Sequence, residues 1–130
     1  MANVHHAKDI PTLMDLKLCH EAVTGDATKP VEFLDVVTKA NEGKEFDVII
    51  TCVNVANCEM GSILPCRDGG IVYFFSMATN FTKAALGAEG VGKDVNMIVG
   101  NGYTKDHAEI TLWELRENEK LRKLFAERYM

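Results

Sequence analysis

The 130-residue sequence contains no G-x-G-x-x-G, G-x-S-x-G, H-E-x-x-H or Walker-type phosphate loop, and no pair of carboxylates in a catalytic pattern. Each missing pattern removes a class. The first is the glycine turn that brings backbone against a dinucleotide pyrophosphate; the others mark serine hydrolases, zinc proteases and nucleotide hydrolases. Long apolar runs are missing too: none approaches the ~18 residues of a membrane span, so no membrane partner is expected. Positive charge is scarce, 14 Lys and Arg against 19 Asp and Glu for a net charge of -5. With no basic stripe to neutralise phosphates, no nucleic-acid partner is expected. The four cysteines, Cys19, Cys52, Cys58 and Cys66, form neither a C-x-x-C pair nor a zinc-ribbon spacing, so no metal site is expected. They read as small hydrophobes, with Cys52 inside a strand. The start, MANVHHAKDIP, lacks the charged and apolar regions of a secretory signal, so a cytoplasmic location is expected. What remains is an ordinary composition, 47% hydrophobic and 25% charged, in one domain or part of one, long enough to bury roughly two thirds of its unfolded surface if it closes a core.

The informative stretch runs from Phe46 to Asn80, FDVIITCVNVANCEMGSILPCRDGGIVYFFSMATN. FDVIITCV and GIVYFFSM are nearly continuous apolar runs rich in β-branched and aromatic residues, the pattern of parallel strands covered on both faces. Only 16 residues separate them, which predicts a parallel return through one right-handed crossover. Both strands then end on one rim. Asn54, Val55, Asn57 and Glu59 follow the first and Ser76, Met77, Ala78, Thr79 and Asn80 the second, where open α/β sheets bind their ligands. The residues alone therefore predict a nucleotide-binding half-domain.

Elsewhere, Ile10, Leu13, Met14, Leu16 and Leu18 predict a short helix with Pro11 in its first turn. Glu21 to Thr24 is a candidate strand. Pro30 opens a helix with Glu32 in its first turn and Val31, Phe33, Leu34, Val37 and Ala40 on its apolar face, closed by Gly43 in a left-handed conformation. Phe81 to Asp94 reads as part helix and part loop, Val95 to Val99 as a strand ended by an Asn101-Gly102 turn. Asp106 and Glu109 have capping-box spacing for a helix burying Ile110, Leu112, Trp113 and Leu115. A last helix carries Leu121, Leu124, Phe125 and Tyr129, with Glu119 and Lys123 as an exposed pair.

The side chains of Asn54 and Asn57 offer both donor and acceptor to a carboxamide, or else cap a helix beginning near Asn57. Glu59 suits an acid, a base or a cation partner, or complements a helix dipole. Ser76 to Asn80 reads as a second ligand-facing loop or a plain strand exit. Asp26 and Thr28 border a pocket or cap the next helix. His107, with Tyr103 and Asp106 in NGYTKDH, has the groups of a proton-transfer site, or is an ordinary first-turn residue.

The segments DATKP, FDVIITCVNVANCEM and GIVYFFSMATNFTKAALGAEGVGKDVNMIVGNGYTKDHAEITLWELRE, from Asp26 onward, resemble the carboxy-terminal part of the L-erythro-3,5-diaminohexanoate dehydrogenases. The resemblance implies an α/β, partial Rossmann fold: a mainly parallel sheet of about four strands with flanking helices. Ala22 to Thr24, Val48 to Val53, Ile71 to Ser76 and Val95 to Val99 would be the third to sixth strands, over residues 21–130, after a divergent segment 1–20. It also implies NAD as cofactor and an amino acid substrate, oxidatively deaminated to 5-amino-3-oxohexanoate in lysine fermentation. Asp26 and Thr28 would border the adenine; Asn54, Val55, Asn57 and Ser76, Met77, Ala78 and Thr79 the nicotinamide side; Glu59 and His107 are the candidate catalytic groups. The family's first two strands, glycine turn and substrate domain would be absent. In the order 3-2-1-4-5-6 that leaves either Ala22 to Thr24 beside Val48 to Val53 or an open edge. An open edge predicts a homo-oligomer or a companion chain. The expected activity is that of a dehydrogenase fragment; the alternative is a noncatalytic interaction or nucleotide-associated module.

Overall fold

The computed structural model describes residues 1–100 and 103–130. It is an α/β fold of partial Rossmann type, with parallel strands in two sheets rather than one. The first sheet pairs β1 (Ala2–Val4) with β2 (Ala22–Thr24), joined through α1 (Ile10–Asp15). The second holds β3 (Phe46–Thr51), β4 (Cys66–Phe74) and β5 (Asn96–Val99) in that order. Between them runs α2 (Pro30–Ala40); α3 (Glu59–Ile63) and α4 (Phe81–Val91) are the crossovers of the second sheet, and α5 (His107–Glu117) and α6 (Glu119–Tyr129) follow β5. The expected Asn101-Gly102 turn lies outside the described residues. Among the described residues no helix is long and apolar enough to cross a membrane.

Local chemistry accounts for most element ends. Pro11 and Pro30 sit in first turns, where a missing N–H costs nothing. After α2 the chain is left-handed at Glu42 as well as at the expected Gly43, and the Gly43 N–H reaches back to the Thr38 carbonyl at 2.7 Å. The segment read as part loop is helix through Val91, stopped by Gly92 in the left-handed region. Gly69, at φ 73°, accompanies the register slip between Phe46 and Val48 that bends the β3–β4 ladder. Asp106 precedes α5 but makes no side-chain cap bond, so the capping box is not formed.

The core lies on one side of the three-stranded sheet. Val72 and Phe74 of β4, with Ile49 and Met97 beside them, pack against Ile63 and Met60 of α3 and Ala84 and Ala88 of α4. The register places Val48, Ile50, Ile71, Tyr73 and Ile98 on the opposite face, and among the described residues this face is poorly covered: Ile50 is 62% exposed. The two-sided cover expected from the unbroken apolar runs is therefore realised on one side only. Cys52, expected within a strand, lies one residue beyond β3 and is exposed. The predicted buried side of α5 is also exposed, apart from half-buried Leu115, because α5 packs against α6 and not against the sheet.

The amino terminus departs most from expectation. Residues 1–20, expected only as a divergent segment, supply a strand: β1 pairs in parallel with β2, Ala2 opposite Ala22 through Val4 opposite Thr24. Seventeen intervening residues hold a 3-10 turn (Ala7–Asp9) running into α1, enough for a parallel return. Ala22 to Thr24 does not slide beside β3. Of the two outcomes foreseen, the open β3 edge is the one observed.

Candidate functional site

The parallel β3–β4 pairing places the carboxyl ends of both strands on one rim, Thr51 opposite Phe74. The loops that leave them meet there. Ser76 donates from Oγ to Asn54 Oδ1 at 3.5 Å, and its Oγ also accepts the Ala78 N–H at 3.1 Å. The Thr79 N–H closes the turn on the Ser76 carbonyl at 3.3 Å. This fold of the loop leaves Met77 93% exposed, with Asn54 and Val55 also open to solvent. Six of the sequence-selected residues, Asn54, Val55, Ser76, Met77, Ala78 and Thr79, thus share one rim.

Behind the rim, Glu59 is 4% exposed in the first turn of α3, and its Oε1 accepts the Asn80 N–H at 2.7 Å. Asn80 is the cap of α4, its Oδ1 accepting the Lys83 N–H at 2.9 Å. Lys83 returns its ammonium to Asn57 Oδ1 at 2.6 Å. Asn57 itself has φ 68°, a left-handed geometry that asparagine tolerates better than most residues. Neither Asn54 nor Asn57 caps α3; Cys58 holds that place without a side-chain bond. The polar chain Asn57–Lys83–Asn80–Glu59 ties the starts of α3 and α4 together. Lys83 was missed in the sequence reading, and its signal was the Asn80-x-x-Lys83 spacing of a helix cap.

Asp26 and Thr28 close the turn after β2. Asp26 Oδ1 accepts from the Thr28 N–H at 3.0 Å and the Thr28 hydroxyl at 2.6 Å. These bonds, with the Lys29 charge, hold the Asp26 carboxyl below its ordinary value. The pair forms a side-chain turn and caps no helix, since the cap position of α2 is Lys29, whose side chain makes no capping bond. Thr28 then lines an open cleft of about 470 Å³ with Asn57, Glu59, Met60, Lys83 and Leu86. Beside it, Gly61 of α3 lies against the Ala27 backbone, a close approach that only a residue without Cβ permits.

His107 is apart from this assembly. It stands in the first turn of α5, exposed, with its ring edge-on to Tyr103 at 5.2 Å. Among the described residues no hydrogen bond or ring contact joins it to Glu59 or to the rim. Burial pushes the Cys58 and Cys66 thiols upward, away from the thiolate form, in keeping with their reading as hydrophobes.

Exposed amide, hydroxyl and backbone groups on the rim fit the carboxamide of a nicotinamide ring. A pyrophosphate would find no glycine turn in this chain.

No family model matches the sequence. The chain is 57% identical over 127 residues to L-erythro-3,5-diaminohexanoate dehydrogenase of Acetoanaerobium sticklandii, covering 98% of this chain and 37% of that protein. It is 65% identical over 108 residues to the protein of the same name from Fusobacterium nucleatum, covering 83% of this chain and 31% of that one. The chain spans about a third of the length of these curated relatives. The first match extends the resemblance upstream of Asp26, into the segment that forms β1.

Proposed function

We propose that this chain supplies the nicotinamide side of an NAD site in a dehydrogenase that oxidatively deaminates L-erythro-3,5-diaminohexanoate, and that it corresponds to the carboxy-terminal part of such an enzyme. The carrying observation is the junction of the two strand-exit loops through Ser76 and Asn54. It sets polar groups side by side at the carboxyl end of a parallel sheet, where cofactors of this class bind. NAD supplies the hydride acceptor. The rim residues orient the ring, through Asn54 and Ser76 to the carboxamide and through Val55 and Ala78 along its apolar edge. Glu59 fixes the rim from behind by holding Asn80, and its carboxylate remains the candidate acid or base on this side. The substrate amines, the pyrophosphate and the ribose are handled by polypeptide outside this chain. That polypeptide pairs with the open edge of β3, so the working cytoplasmic enzyme is either a longer chain or a complex of two.

The decisive experiment measures NAD reduction with 3,5-diaminohexanoate for this chain alone, and for it mixed with the remaining portion of a full-length relative. Activity only in the mixture is the expected result. No activity in either, with the mixture demonstrably assembled, overturns the reading. A noncatalytic module is the second reading, favoured by the missing glycine turn; a chain that assembles with its complement yet leaves NAD unreduced would establish it.

A further inference from the structure

The cleft at the starts of α2, α3 and α4 carries two opposite charges that do not meet. Glu59 is 4% exposed, and only its Oε1 has a partner, the Asn80 N–H at 2.7 Å. Among the described residues no buried side-chain oxygen goes without a hydrogen bond, so Oε2, which makes none, opens into the cleft that Glu59 lines. Lys83 lines it too. Its ammonium donates to the neutral Asn57 Oδ1 at 2.6 Å, which leaves further N–H groups for another acceptor. Among the described residues neither Glu59 nor Lys83 forms an ion pair.

A ligand of single charge suits this cleft poorly, because an anion is repelled by Glu59 and a cation by Lys83. A molecule that carries both charges gives each its counterpart. Its ammonium donates to Glu59 Oε2, relieving a buried carboxylate that lacks a cation, and its carboxylate accepts from Lys83. Pro30, Met60 and Leu86 supply apolar lining for an aliphatic chain, and at about 470 Å³ the cleft has the size of a small-molecule site.

We propose that this cleft binds a zwitterionic amino acid with an aliphatic side chain. Every group invoked belongs to this chain, and no residue of the rim lines the cleft. It is therefore a second site, and it stands apart from the cofactor reading. The substrate amines, in that reading, meet polypeptide outside this chain.

The test uses the full chain, isotopically labelled at its methionine methyl groups, with L-norleucine as the probe. The NMR signal of Met60, in the cleft, should shift saturably at millimolar concentration, while that of Met77, 93% exposed on the rim, should stay still. N-acetyl-norleucine lacks the ammonium and norleucinol lacks the carboxylate, and each should bind about tenfold or more weakly. Lys83→Met alters an exposed side chain, so circular dichroism should be unchanged while norleucine binding weakens by a similar factor. Glu59→Gln should weaken it likewise. A Met60 signal that norleucine does not move overturns the proposal, and so does a shift at Met77 in its place, which would put the ligand on the rim. Equal binding of the two blocked derivatives, or undiminished binding by Lys83→Met, also overturns it, because the cleft would then select apolar matter and not paired charge.

Discussion

At the residue scale, Asp26 and Glu59 show how the same carboxylate chemistry serves different ends. Thr28 stabilises the ionised form of Asp26 and so lowers its pKa. A carboxyl with a depressed folded-state pKa stabilises the fold above its unfolded value, and the contribution disappears as pH falls through the folded one. Thr28→Val should therefore move the Asp26 pKa upward toward 3.8 in an NMR titration, and it should slightly lower stability near neutral pH while making the acid side of the stability curve shallower. Glu59 is buried and accepts from backbone. Glu59→Ala would leave the Asn80 N–H unpaired and cost about 1–3 kcal/mol in urea unfolding, whereas Glu59→Gln keeps an acceptor and should cost less. If the Gln variant folds normally but loses turnover in the assembled enzyme, its carboxylate takes part in the chemistry; unchanged turnover confines it to positioning the rim.

At the scale of elements, glycine decides how the layers approach. Gly61 of α3 faces the Ala27 backbone and Gly87 of α4 faces the flexible Met60 side chain. Gly61→Ala should therefore destabilise by about 1–3 kcal/mol, because backbone cannot give way, and Gly87→Ala by clearly less, because Met60 can rotate. Denaturant midpoints of the two variants would rank them. Asn118 does two jobs at once, accepting the Leu121 N–H as the α6 cap and donating to Leu16. Asn118→Ala is expected to cost about 1–2 kcal/mol and to free the α5–α6 hairpin from α1.

At the scale of the whole molecule, stability is unevenly spread. The cluster of Ile63, Cys66, Val72, Phe74, Ala84 and Ala88 forms one core under the second sheet, while among the described residues outside that cluster Leu16 and Val37 are buried. Amide hydrogen exchange should accordingly be slowest in β4, shielded by strands on both sides, and fast in β1 and β2. Equal protection in both sheets would mean that they unfold as one unit. The open β3 edge and the missing glycine turn together predict that this chain alone binds NAD weakly or not at all, and micromolar affinity by calorimetry would contradict that.

The sequence by itself determined the parallel β3–β4 unit, the prolines that start α1 and α2 and the shared rim of Asn54 and Ser76, because strand periodicity, turn chemistry and a short crossover are local properties. It also carried the resemblance to the dehydrogenases, through long uninterrupted segments. Tertiary structure decided the rest. Three residues at the amino terminus became a strand only by pairing with β2, and three-residue strands have too little pattern to be read alone. The Asn118–Leu16 contact joins residues 102 apart, and the Lys83–Asn57 link spans 26 residues. Such contacts are set by which elements meet in space, and no local pattern encodes them.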